Sequence, residues 1–543
     1  MLGQMMQRQL LISSLIAHAD RNHGDAPIVS RRPEEPDGPL HRTHWREVHR
    51  RSRQLANALA HLGVRQGDRV ATLAWNTHRH LELYYAISGS GAICHTVNPR
   101  LFAEQIAWIL NDAGAEVLFF DVSFAEIVAG LVPQLGHIRH FVQMTDRGHL
   151  PAGFPAELIA YEDLVHSHSE HYAWPELDEE AASGLCYTSG TTGNPKGVLY
   201  SHRSTVLHAY ACALPDSFGV SSRDVVMPVV PMYHVNAWGL PYIAALTGAG
   251  LVLPGPLQDG ASLRHLIVDE GVTLSNGVPT VWIGLLQDLA RHDGGLGRLR
   301  KLVIGGSACP PAMMDAFAER GVEVLHAWGM TELSPIGAVN APRHDHDALD
   351  LVARRARRAK QGRPLPGVEL AILDGDGQPL PHDGESFGEL VVRSPWAVGR
   401  YFGREVGEGF TTDGWFRTGD VATIDPAGYM QITDRAKDVI KSGGEWISSI
   451  ELENILSAHP AVIEAAAIAA VHPKWDERPL MAVVLKPEAG LDRHEMQAYF
   501  NGKVAKWWVP DDLVIVDSIP HTATGKIDKR KLRDLHGEHA WPA

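Results

Sequence analysis

The chain has 543 residues, a formal charge of −15, and 45% hydrophobic against 21% charged residues. That length exceeds what one hydrophobic core sustains, and the acidic balance argues against a general nucleic-acid binder, which needs a basic face to neutralise phosphates. Cys94, Cys186, Cys212 and Cys309 fall at neither metal-ligand nor disulfide-scaffold spacing, which points to a reduced, cytoplasmic setting, and no stretch approaches the ~18 consecutive apolar residues of a membrane span.

In chain order, Leu10 to Ile16 is largely apolar and Ala17-His18-Ala19 imitates a signal cleavage site. Ser13 and Ser14 interrupt the run, however, and Leu11, Ile12, Leu15 and Ile16 form one stripe of a helix. Trp45 to Leu62 reads as a helix ended by Gly63, and Arg69 to Ala74 as a buried strand. Ala92 to Val97, a helix near Glu104 to Asn111, and the strand Val117 to Phe120 continue the alternation, which predicts βαβ units and a parallel sheet covered by helices. A second series follows at Val225 to Val230, Leu251 to Leu253, Leu274 to Gly277, Leu302 to Ile304 and Val322 to Leu325, so two similar α/β layers are expected. A basic cluster, Arg354, Arg355, Arg357, Arg358 and Lys360, reads as a solvated face or a seat for a phosphorylated cofactor tail. Beyond Arg363, prolines and glycines punctuate short strands, giving a β-rich subdomain at about 363–434. Ser448 and Glu451 open a helix, and strands at Ala465 to Val471 and Met481 to Leu485 complete a compact α+β unit. The expected fold is therefore a large α/β body, 1–436, and a small mobile α+β domain, 437–543, hinged at Lys437.

Between the two series lies Tyr187-Thr188-Ser189-Gly190-Thr191-Thr192-Gly193-Asn194-Pro195-Lys196-Gly197, flanked by apolar residues that make a hairpin-like pair of strands. Hydroxyls alternating with glycines can aim O–H and N–H donors at anionic oxygens, and Lys196 adds charge. It is not a Walker-type loop, because Pro195 and Gly197 stand where that loop needs glycine and serine or threonine. Further stretches follow: Pro231-Met232-Tyr233-His234-Val235-Asn236-Ala237-Trp238, where a buried strand is expected to open into a helix and present His234 and Trp238, then Gly305-Gly306-Ser307-Ala308 and Ala327-Trp328-Gly329-Met330-Thr331-Glu332. Trp415-Phe416-Arg417-Thr418-Gly419-Asp420, Asp434-Arg435-Ala436-Lys437-Asp438 and Pro520-His521-Thr522-Ala523-Thr524-Gly525-Lys526 complete the set. Singly, each has a plain structural explanation: a core histidine, a tight strand-to-helix turn, a turn aspartate, a charged linker.

Together, in this order, they resemble the signature motifs of the adenylate-forming superfamily, which includes acyl-CoA synthetases, luciferases and peptide-synthetase adenylation domains. The resemblance implies that Thr188, Ser189, Gly190, Thr191, Thr192, Gly193 and Lys196 hold ATP phosphates. Gly306, Ser307, Ala308, Trp328 and Gly329 would then border the adenine, Thr331 would touch the α-phosphate, and Asp420 and Arg435 would bind the ribose side. Trp328 departs from the family's more usual tyrosine. Glu332, with Thr188, would carry Mg2+; Lys526 would bind both the carboxylate and the α-phosphate. His234, beside the acyl and phosphate ends of the adenylate, would be catalytic with Lys526, Glu332 and Thr188; His234, Val235, Trp238, Val278 and Gly305 would line the acyl pocket, Trp238 as a gate or a fixed wall; and Lys437, Lys441, Gly443, Gly444, Glu445 and Trp446 would form the hinge and the coenzyme A route. The implied reaction is acid + ATP + coenzyme A to acyl-CoA + AMP + pyrophosphate, in a homodimer without nucleic-acid partners. Medium- and long-chain fatty-acyl-CoA synthetases match best, with 3-methylmercaptopropionyl-CoA ligases and other short-acid ligases as the alternative. A luciferase-like oxygenase or a non-catalytic nucleotide binder are further alternatives. The short tail after Lys526 is expected to leave no room for a peptide-synthetase carrier domain.

Overall fold

The computed structural model describes residues 1, 3–188, 194–292, 294–405, 407, 409–435, 437–442, 445–522 and 527–541, with only the backbone of 445 and 446. Two large sheets form the body. In the first, the spatial order is Leu158–Ala160, His140–Gln143, Val117–Phe120, Arg69–Leu73, Ile93–Thr96, Ala182–Tyr187 and Gly197–Ser201. Every neighbouring pair is parallel except the last, which is the antiparallel pair flanking the Gly/Thr loop. Val117–Phe120 is buried at all its positions, as a continuous apolar run must be when helices cover both faces.

The second sheet runs Arg363–Pro364, Ile336–Val339, Glu323–Gly329, Lys301–Ile304, Leu274–Gly277, Val225–Pro228, Gly250–Leu253, Pro27–Ser30 and His41–His44. Its centre is parallel, and both ends are finished by antiparallel strands. The N-terminal helix Ile12–His23 buries Ile12, Leu15, Ile16 and Ala19 in the main core. Among the described residues, no helix is long and apolar enough to cross a membrane.

A four-stranded antiparallel sheet follows: Glu369–Leu373, Phe387–Arg393, Phe416–Ile424 and Met430–Arg435. A last sheet pairs Val462–His472 with Asp476–Leu485 and carries the helices Ser449–Ser457 and Lys529–His536. Asp434 joins the two: its carboxylate accepts from the Ser449 amide at 2.5 Å, at the start of the helix Ser449–Ser457.

The basic cluster is engaged locally. Arg357 pairs with Asp345 at 2.7 Å and Lys360 with Asp425 at 2.7 Å, while Arg355 and Arg358 share Asp315 and Arg354 donates to the Leu349 carbonyl. Three acids from neighbouring segments, Asp315, Asp345 and Asp425, thus face this cluster of five cations.

Candidate active site

The strands Ala182–Tyr187 and Gly197–Ser201 close on the Tyr187 and Gly197 pair. Thr188 then extends the closure: its amide donates to the Lys196 carbonyl at 2.9 Å, and its hydroxyl accepts from the Lys196 amide at 3.1 Å. Ser189, Gly190, Thr191, Thr192 and Gly193 lie outside the described residues. Thr188 and His234 line one small cavity with Tyr187 and Tyr233.

A residue that sequence reasoning missed organises the next step. Tyr401 carries the Lys196 ammonium 4.8 Å above its ring and donates its hydroxyl to Glu332 Oε1 at 2.7 Å. One phenol thus joins the loop lysine to the buried carboxylate. Burial pushes the Glu332 carboxyl above its ordinary range, and the Tyr401 hydrogen bond pulls it back. Tyr200 steadies the preceding residue by donating to the Thr331 carbonyl at 2.7 Å.

Where the ribose contacts are expected, Asp420 faces Arg435 across the antiparallel pair Phe416–Ile424 and Met430–Arg435. Arg435 Nε lies 2.7 Å from one carboxylate oxygen, and Trp328 Nε1 donates to the other at 2.8 Å. Each oxygen keeps a further acceptor site, so sugar hydroxyls can be added without breaking this frame. The Trp328 indole N–H thus fixes one oxygen of Asp420. Its ring lies against Gly337, where a Cβ would stand 2.6 Å from Cζ3.

Gly305 and Gly306 separate two surfaces. A Cβ on Gly305 would lie 2.6 Å from the Ala327 carbonyl oxygen and 3.3 Å from Trp238 Cη2; one on Gly306, at φ +81°, would lie 3.1 Å from Val278 Cγ1. Trp238 and Val278 therefore meet at the glycine pair, one residue from the strand that bears Trp328. Ser307 is exposed and Ala308 half-buried. His326 pins the end of this loop, accepting from the Cys309 amide at 3.3 Å and bonding the Ala359 carbonyl at 3.0 Å; burial takes its imidazole down to about 4. Val278 also borders a cleft of about 690 Å³ with Arg100, Gln258, Asp259 and Arg291.

One local expectation is corrected. His234 and Trp238 were expected where a strand opens into a helix, but Val235, Asn236, Ala237 and Trp238 have φ of 42°, 54°, 51° and 56°, and the right-handed helix begins only at Leu240. This is one left-handed turn without a glycine until Gly239, costing roughly 1–2 kcal/mol per residue. The surroundings hold it. Asn76 accepts from the Met232 amide at 2.6 Å, Tyr84 donates to the Met232 carbonyl, and Asn276 Nδ2 donates to the Ala237 carbonyl at 3.0 Å.

Toward the C-terminus, the Lys441 amide donates to Glu477 at 2.7 Å and Lys437 is exposed. Lys526, Gly443 and Gly444 lie outside the described residues, as do the side chains of Glu445 and Trp446.

Comparison with known proteins decides the family. The AMP-binding enzyme profile matches residues 16–402, and the AMP-binding enzyme C-terminal domain profile matches 451–526. The chain belongs to the AMP-binding enzymes. It is 53% identical to a 3-methylmercaptopropionyl-CoA ligase of Ruegeria lacuscaerulensis over 98% of both chains. It is 52% identical to a medium-chain-fatty-acid–CoA ligase of Ectopseudomonas oleovorans, over 99% of this chain and 98% of that one. A solved anthranilate CoA ligase in complex with anthranoyl-AMP superposes with a TM-score of 0.85 at 25% identity, covering 98% of each. This AMP-binding enzyme is accordingly an acid–CoA ligase, and its α/β body with a small C-terminal unit is that of the adenylate-forming enzymes.

Proposed function

We propose that this ligase activates a medium- to long-chain fatty acid as its acyl-adenylate and passes the acyl group to coenzyme A. The observation that carries the reading is the glycine pair 305–306: the Trp238 and Val278 side chains lie against it, and Ala327, next to Trp328, backs it. An apolar acyl chain and an adenine would thus share one thin wall, as an acyl-adenylate requires. The named relatives, a medium-chain fatty acid ligase and a 3-methylmercaptopropionate ligase, bracket the choice of acid. Trp238 lying this close to Gly305 favours the short thioether acid as the second reading, since the indole then stops the pocket early.

In the first step the acid's carboxylate attacks the α-phosphorus and pyrophosphate leaves. Thr188, Lys196 and the intervening hydroxyls would bind the phosphates, Thr331 would meet the α-phosphate, Asp420 and Arg435 the ribose side, and Trp328 the adenine. Lys526 would bring charge to both reacting anions. Glu332 and Thr188 offer hard oxygen donors, which fits magnesium arriving with the nucleotide, because such ions take one or two carboxylates and complete their shell with phosphates and water. Bound there, the ion would supply positive charge against the repulsion between acid and triphosphate. In the second step the coenzyme A thiol attacks the acyl carbonyl and AMP leaves. Lys437 would be the pivot that exchanges the Lys526 loop for the segment with Lys441, Gly443, Gly444, Glu445 and Trp446, dividing the chain into 1–436 and 437–543. Four buried free cysteines support a reduced, cytoplasmic setting; a homodimer is expected from the family resemblance and is tested by sizing.

The test is a panel of acids from three to sixteen carbons, with 3-methylmercaptopropionate, scored for coenzyme A-dependent AMP release. An optimum at eight or more carbons supports the fatty-acid reading, and an optimum on the thioether acid supports the second. AMP release from no acid, or oxidation of an adenylate by oxygen, overturns both.

A further inference from the structure

Asn276 sits on the strand Leu274–Gly277 and is wholly buried. Its Nδ2 donates to the Ala237 carbonyl at 3.0 Å, while its Oδ1 is buried with no hydrogen-bond partner among the described residues. An amide buried with one end unmet is unfavourable, so the single bond it makes needs a reason. That bond ends on the third residue of the left-handed turn. Tyr84, from the helix His78–Gly89, donates to the Met232 carbonyl, three residues before the turn, and to Asn236 Oδ1 within it at 3.3 Å. The turn's product is the placement of one side chain: the Trp238 indole against Gly305. A reversal of φ at Trp238 would send its Cα–Cβ bond to the other side of the backbone and take the indole off the glycines.

We propose that Asn276 is a positioning residue for acid selection, which holds Val235 to Trp238 left-handed through the Ala237 carbonyl and so keeps the Trp238 indole as the end wall of the acyl pocket. The inference rests on the reading, given above, that Trp238 bounds that pocket. Without the donor, the non-glycine residues of the turn return to the right-handed region that L-residues prefer, and the wall is lost although Trp238 is still present. Asn276 itself touches no reacting atom.

The experiment compares wild type, Trp238→Ala, Asn276→Leu and Asn276→Leu with Ala237→Gly, each assayed with butanoate, octanoate and dodecanoate. Asn276→Leu keeps the bulk and removes the donor. The ratio of kcat/KM for dodecanoate over butanoate should rise roughly 10-fold, as in Trp238→Ala, mainly through the KM of the acid and with the KM for ATP little changed. Adding Ala237→Gly should bring the ratio back toward wild type, because glycine occupies positive φ without strain. A merely loosened core would be worsened, not rescued, by that glycine. A folded Asn276→Leu protein with the wild-type ratio, or a shift that Ala237→Gly does not reverse, overturns the proposal. Should Asn276→Leu not fold, Tyr84→Phe carries the same test at the other end of the turn, with the same two outcomes. If Trp238→Ala itself leaves the ratio unchanged, the pocket reading falls and this inference with it; if Trp238→Ala shifts the ratio and Asn276→Leu does not, only the inference falls.

Discussion

Tyr401 and Trp328 show how much of this site depends on side chains that orient other side chains. Tyr401→Phe keeps the ring beneath Lys196 but removes the hydrogen bond to Glu332. Adenylate formation, followed by pyrophosphate exchange, should fall about 10-fold, the value of one hydrogen bond to a charged group. The pH profile gives a second readout. That bond favours the ionised carboxylate, so its loss raises the Glu332 pKa further, and the acid limb of kcat/KM should move to higher pH. Trp328→Phe keeps an aromatic face but frees one oxygen of Asp420; the KM for ATP should rise about 10-fold while the KM for the acid stays near its starting value. Neither partnership was legible in the sequence. Tyr401 and Glu332 are 69 residues apart, Trp328 and Asp420 are 92 apart, and no spacing rule links positions so distant in the chain.

Among the elements, continuous apolar runs identify strands well because burial on both faces leaves no polar alternation to misread. Val117–Phe120 falls where the pattern puts it, and Arg69–Leu73 and Ile93–Thr96 differ by a residue or two. The turn Val235 to Trp238 was out of reach for the opposite reason. Of these four residues only Asn tolerates positive φ readily, and Val, Ala and Trp disfavour it, so the handedness of the whole turn depends on Asn76, Tyr84 and Asn276, which are remote in sequence. At the start of the helix Ser449–Ser457, the Asp434 carboxylate meets the first amide, and burial raises its pKa while Lys529 lowers it. Asp434→Ala should weaken the seating of that helix by about 1 kcal/mol, the usual value of an N-terminal cap. Hydrogen exchange at Ser449 to Glu453 should quicken, while exchange in the strand Val117–Phe120 stays as it was.

For the molecule entire, buried histidines dominate the response to acid. Burial takes His80, His95, His202 and His326 down to about 4 and His208 to about 3. Each folded value lies below the free value, so the unfolded chain binds protons first as pH falls. This stability is complete above about pH 6.5 and is lost between there and pH 4, or pH 3 for His208, on the order of 3 to 5 kcal/mol for each histidine. Thermal melts should therefore drop steeply across that window, and His208→Gln should flatten the drop. A domain-scale prediction follows from the proposed pivot. Lys526→Ala should lower adenylate formation by at least about 100-fold yet spare thioester formation from supplied acyl-adenylate, because the lysine would act only in the first of two arrangements. Equal loss in both half-reactions would remove the pivot from the account.

The left-handed turn also sets an order of events during folding. Asn76 and Tyr84 come from the segment that follows the strand Arg69–Leu73 of one large sheet, and Asn276 comes from a strand of the other. Neither half alone carries the full set of restraints, so the segment from Val235 to Trp238 acquires its handedness only after the two halves have docked. Nascent chains released before docking would contain both sheets and an unformed turn at Val235 to Trp238. In refolding experiments, discrimination among acids should return no earlier than the docking of the two sheets.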